Sequence, residues 1–156
     1  MDRWDYFTIL LYLLLTAFIY FDPNGFITKE IILAYSYITP AFLYLYNYKS
    51  LRNIYVWLIW VIISIIHIWL YIELSELEKY QYQIGSAAAF LKYTWIFILL
   101  YQLLRILFLK FKKIELVAPN VGSNDIWDRR KLTRLDTLFF FIYFGLYILL
   151  GILITE

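Results

Sequence analysis

Five stretches of this chain are long enough and apolar enough to cross a bilayer. They are Trp4–Phe21, Ile31–Tyr48, Ile54–Ile72, Ala87–Leu109 and Leu138–Ile154. A spanning helix needs about 20 mostly apolar residues, within a range of about 17–25. By length and apolarity the five stretches read as spanning helices. The chain is 63% hydrophobic with a mean hydropathy of +0.69, against about 45–50% in soluble domains. The expected fold is therefore an all-α integral membrane protein, a bundle of about five helices. Residues 1–109 form a four-helix region, 110–136 a structured loop and 137–156 the fifth span.

The first two spans are the shortest. The turn "DPNG" at 22–25 ends the first, and Pro40 sits in the middle of the second, where it removes one backbone hydrogen bond. A re-entrant first pair, leaving four helices, is the alternative. The segment "MDRWD" is not cationic and no small-residue cleavage site follows it, so the first span is read as a retained helix rather than a cleaved leader.

Charge placement orients the chain. Arg3, Lys49, Arg52, Arg105, Lys110, Lys112, Lys113, Arg129, Arg130, Lys131 and Arg134 all fall on the side of the N-terminus, eleven of the 14 basic residues; Lys29, Lys79 and Lys92 fall on the other. Cytoplasmic loops carry the excess of Lys and Arg. The expectation is a cytoplasmic N-terminus, a cytoplasmic 110–136 loop and an outside C-terminus. The Phe, Tyr, Ile and Leu bias fits an AT-rich genome, bacterial or organellar; the expected location is a bacterial inner membrane, with an organellar inner membrane as the alternative.

Within the loop, "SNDIWDRRKLTRLD" reads as a short amphipathic helix starting at Ser123 or Asn124. Trp127, Arg129, Arg130, Lys131 and Arg134 are its candidates for gripping lipid headgroups or an acidic partner. The plainer reading is a juxtamembrane helix that only rests on lipid phosphates.

Several chemistries lose support. The chain has no Cys and a single His, which argues against disulfides, thiol redox chemistry and metal or haem centres. Asp and Glu stay at span ends, whereas proton-driven transporters keep a membrane carboxylate. Ser64 and His67 lie i,i+3 with no acid to orient the imidazole, and no glycine-rich phosphate loop occurs. A net charge of +2 gives nucleic acid no electrostatic hold. No catalytic residue, metal site or cofactor is expected.

One polar stripe remains. Trp57, Trp60, Ser64, His67 and Tyr71 recur at steps of three and four on the third span, which places them on one helix face. Thr94, Ile98, Tyr101, Gln102 and Arg105 do the same on the fourth. Antiparallel packing pairs positions summing to about 161: His67 with Thr94, Ser64 with Ile98, Trp60 with Tyr101 and Trp57 with Arg105. The stripe is either a pore or ligand lining, or polar glue whose groups face each other because lipid cannot satisfy them. Thr8, Tyr12, Thr16 and Tyr20 on the first span, and Tyr143, Tyr147 and Gly151 on the fifth, read as packing faces. The functional expectation is a non-catalytic accessory subunit of a larger membrane complex, with lipid and other membrane subunits or copies of itself as partners. The alternative is a homo-oligomeric pore, of the kind used as a stress or phage-defence effector.

Overall fold

A computed structural model of the protein describes residues 1–22, 25–83, 85–119 and 131–154. Among them, five α-helices carry the fold: α1 (Arg3–Phe21), α2 (Lys29–Leu45), α3 (Ile54–Ser75), α4 (Thr94–Lys112) and α5 (Arg134–Ile154). Four apolar helical stretches are long enough to cross a membrane, namely Arg3–Phe21, Ile54–Ser75, Ala89–Lys112 and Arg134–Leu153. The fourth begins as the 3-10 turn Ala89–Tyr93 and continues as α4. With 17 residues, α2 reaches about 25 Å. Pro40 lies inside it without ending it.

Successive helices run antiparallel. The Thr16 hydroxyl meets that of Tyr35, and Thr8 near the start of α1 meets Asn47 beyond the end of α2. Tyr143 and Tyr147 of α5 donate to the carbonyls of Pro40 and Tyr37 on α2. One end of the bundle therefore collects the start of α1, the 46–53 turn, the end of α4 and the start of α5. There Arg52 donates to the Leu116 carbonyl at 2.8 Å. The opposite end is closed by Asp22, whose carboxylate takes Lys79 at 2.8 Å and the Tyr80 hydroxyl at 3.0 Å.

Local chemistry sets the helix ends. Asn53 caps α3 by accepting the Tyr55 N–H, and Asp5 accepts the Asp2 N–H at the head of α1. Such side chains satisfy donors that a helix start leaves orphaned. α1 stops at Asp22 and α4 at Lys113, both left-handed with φ of 30° and 57°. Thr133 and Asp136 exchange bonds across the first turn of α5: Asp136 N–H donates to Thr133 Oγ1, and Thr133 N–H to Asp136 Oδ2. This is a capping box.

Several expected boundaries move. α4 runs on through Lys112, so Lys110 and Lys112 belong to it rather than to the loop. Arg134 belongs to the first turn of α5, because the Thr133–Asp136 box starts the helix earlier than hydropathy alone suggests. The loop between α3 and α4 also holds a small antiparallel ribbon, β1 (Gln81–Tyr82) and β2 (Gly85–Ser86), that an all-α reading did not anticipate.

The interior is aromatic. Trp60, Tyr44, Tyr101, Tyr143, Phe97 and Phe108 are buried together. A second cluster at the Asp22 end gathers Ile19, Ile32, Leu70, Leu74, Tyr80 and Leu91. "SAAA" at Ser86–Ala89 is where α2 comes close, with Ser36 donating to the Ala87 carbonyl at 3.2 Å. Outward faces are apolar on every helix: Leu14, Ile38, Ile65, Leu103 and Ile148 are each more than half exposed.

Candidate functional site: two polar clusters

Thr16, Tyr35, His67 and Thr94 come from four different helices and meet in one line. His67 Nε2 lies 2.9 Å from the Tyr35 hydroxyl, which lies 2.8 Å from Thr16 Oγ1. On its other side His67 Nδ1 is 3.4 Å from Thr94 Oγ1. Thr16 donates in turn to the Tyr12 carbonyl at 2.7 Å. That last bond assigns a direction. With its proton spent on Tyr12, Thr16 accepts from Tyr35. Tyr35 then accepts from His67 Nε2–H, and Nδ1 accepts from Thr94. This order uses every hydroxyl proton in the line; the reverse strands the Thr94 proton. The imidazole in this assignment is neutral, with one donor and one acceptor. His67 and Thr94 are fully buried.

The rest of the stripe behaves differently. Ser64 is buried but bonds back to the Val61 carbonyl of its own helix at 2.7 Å. Trp60 is buried edge-on to Tyr12, with ring centroids 4.9 Å apart, and its Nε1 meets no acceptor among the described residues. Trp57 does not stack on Arg105. Its Nε1 points to the Ile98 carbonyl at 3.4 Å, because the guanidinium of Arg105 has found a carboxylate instead. Tyr71 sits under the Lys92 ammonium, 5.2 Å from the ring centroid.

That carboxylate is Glu115, at the centre of a second cluster. Arg105 holds it in a two-pronged grip, with Nε and a terminal nitrogen at 2.8 and 2.7 Å from its two oxygens. Paired geometry of this kind is among the strongest polar contacts proteins make. Arg52 Nε approaches the same group at 3.8 Å. Gln102 donates to the Leu51 carbonyl, and Tyr101 donates to the Tyr48 carbonyl, both at 2.6 Å. The cluster thus ties the 46–53 turn, the last turns of α4 and the segment after it into one unit.

Comparison with known proteins finds no match to this chain among family models, curated proteins or solved structures. What it does has to be argued from the two clusters and the surface.

Of the loop residues singled out for docking, Trp127, Arg129 and Arg130 lie outside the described residues. Lys131 and Arg134 are exposed at the α5 entrance. Among the described residues, no three His, Asp or Glu side chains converge on a point that would seat a metal.

Tyr35 and Glu115 were missed by sequence reasoning. Tyr35 had a signal: the depth matching used for α3 and α4, applied to the first two spans, pairs positions summing to about 52, which brings Thr16 level with Tyr35 and Ser36. Glu115 had none, since it sits in a loop with no periodicity to aim it.

Proposed function

We propose that the chain is a five-span membrane protein with its N-terminus in the cytoplasm of a bacterial cell, acting as a non-catalytic subunit that holds other membrane proteins in place. The fifth span is α2. Its outward Ile31 and Ile38 are exposed, and a helix of about 25 Å suits a hydrocarbon core of about 30 Å with slight local thinning. The side assignment rests on the basic residues at the Arg52 end.

The observation that carries the subunit reading is the burial of the polar stripe. Trp60, Ser64, His67, Thr94 and Tyr101 are each 0–1% exposed. Apart from the indole nitrogen of Trp60, their polar groups are used within one copy of the chain, which supports a face that holds the bundle together. A homo-oligomeric pore would need a different polar face turned toward a shared axis. What each helix turns outward instead is large and apolar, the chemistry of contact with lipid and with other spans.

Purification in mild detergent separates the two readings. A subunit brings dissimilar membrane proteins in fixed ratio; a pore brings only copies of itself and conducts in liposomes. Orientation is checked with single cysteines: one at Lys49 is labelled from the cytoplasmic side only, one at Gln83 from the outside only. Labelling of both from one side sinks the five-span topology.

A further inference from the structure

A cleft of about 570 Å³ opens on the flank of the bundle at the Asp22 end, between the first half of α2, the ribbon and the 3-10 turn before α4. Its floor includes Ala89 and Phe90, which are buried, and Ala34 on its rim is exposed. One wall is flat and fixed. The Tyr37 ring stacks on Phe90, with centroids 4.3 Å apart and planes 18° from parallel. Gly151 of α5 backs that ring, where an added Cβ would lie in ordinary contact with it at 3.5 Å. The space exists because Ala34 and Ala89 stand where larger side chains would fill it.

Three features describe the occupant. The lining is almost wholly apolar, so the occupant is too. The cleft descends from Glu30 to Tyr37, seven residues or about 10 Å of helix, which is the upper part of a leaflet whose hydrocarbon half is about 15 Å thick. Glu30, at the mouth, is the one charged residue among those lining it. Its neighbour Lys29 sits over the ring of Tyr82, another lining residue, 4.5 Å from the centroid, so the mouth carries one carboxylate and one ammonium side by side, a match for a zwitterionic headgroup.

We infer that this cleft holds one acyl chain of an outer-leaflet lipid with an ammonium headgroup, the chain against Ala34, Tyr37 and Phe90 and the ammonium at Glu30. The inference rests on the reading that α2 crosses the membrane with Glu30 outside. A lipid seated here fills a gap between α2 and the α3–α4 connection that side chains leave open, and so acts as a structural element of the outer end.

Native mass spectrometry of the purified full chain in an uncharged detergent tests it, using phosphatidylethanolamine and phosphatidylglycerol with matched acyl chains. An exposed ion pair of up to about 1 kcal/mol corresponds to about fivefold, so the wild type retains the ethanolamine lipid about fivefold over the glycerol lipid. Glu30→Gln brings that ratio to near one while both lipids still bind. Ala34→Trp fills the cleft and loses both; Ala34→Leu is the milder substitute if the first does not fold by circular dichroism. Equal retention of the two lipids by the wild type overturns the proposal. So does undiminished retention by the Ala34 variants, or loss of a co-purifying protein rather than of lipid on filling the cleft. Resistance to alkaline extraction, measured on the same samples, reports separately whether the chain spans the membrane at all.

Discussion

The line through His67 and the knot around Glu115 use opposite polar chemistry, and depth is what separates them. The His67 line is built of neutral groups. It lies a few residues from the middle of α3 and joins α1, α2, α3 and α4 end to end. The Glu115 knot is built of full charges. It sits where α4 meets its following loop, with Glu115 itself 36% exposed. A charge at mid-bilayer has no water to solvate it, whereas a neutral hydrogen bond needs only its partner. At the headgroup level both are affordable. The chain places each kind of contact where its environment tolerates it.

The sharpest test puts the same charge into both regions. His67→Lys places an ammonium in the buried line, at a cost of about 2.5–3.5 kcal/mol on insertion scales. Ile114→Lys places it beside the knot, on an exposed position next to Glu115, for under about 1 kcal/mol. Unfolding by SDS titration in mixed micelles reads both. Equal destabilisation by the two variants would break the comparison.

Removal comes next in size. Glu115→Ala deprives Arg105 and Arg52 of their shared carboxylate. Hydrogen bonds to charged groups contribute about 1.5–3 kcal/mol when buried. With a third of Glu115 exposed, about 1–1.5 kcal/mol is expected after screening. The difference from wild type shrinks in 1 M salt, roughly where the screening length falls to about 3 Å.

Tyr35→Phe is the neutral counterpart. It removes the hydroxyl that links Thr16 to His67 and leaves the ring contacts with Tyr12 and His67 in place. Interhelical hydrogen bonds in membranes average about 0.6 kcal/mol, so losing two costs about 1 kcal/mol. The loss is the same at low and high salt. A salt-dependent Tyr35→Phe effect would mean that the His67 line carries charge.

The two regions also differ in how far the sequence disclosed them. Helix faces are periodic, and a hairpin fixes which depths face each other. The step pattern of α3 and α4 therefore points His67 at Thr94 with no structure in view, and hydropathy locates the helices to within a few residues. The periodicity of a face says nothing of how far a long side chain reaches. Trp57 and Arg105 were paired by depth, yet Arg105 turns down its helix to Glu115, ten residues on. Loop contacts obey no period at all. The grip of Asp22 on Lys79, 57 residues away, and the ribbon beside it were equally hidden. The helical architecture and the four helices apolar enough to cross a membrane were legible; the polar knots that lock loops to helices were not.

The Asp22 grip supplies the smallest and most local prediction. Asp22 accepts the Ile27 N–H at 3.1 Å as well as Lys79 and Tyr80, so one carboxylate organises the turn between α1 and α2. The hydrogen bond from Lys79 holds its pKa below the ordinary carboxylate value, and the carboxylate raises that of Lys79. A depressed acid contributes stability that is complete above its unfolded value, about 3.9, and that disappears as pH falls through the lower folded value. A raised lysine contributes below its unfolded value, about 10.4, and loses that contribution as pH rises through the folded one. The grip is therefore whole between those two unfolded values and fails on the acid side as pH falls through the depressed carboxylate value. Exchange of the Ile27 amide, corrected for its intrinsic rate, should show unchanged protection between pH 5 and pH 7 and loss of protection only as pH falls below the ordinary carboxylate value, about 3.9. Asp22→Asn should show the weak protection at every pH. Neither change should reach the His67 line, which the same experiment follows through amides of α3. If protection at Ile27 is already lost as pH falls through the ordinary carboxylate value, about 3.9, Lys79 is not holding the carboxylate, and this end of the bundle is closed by packing of Tyr80 alone.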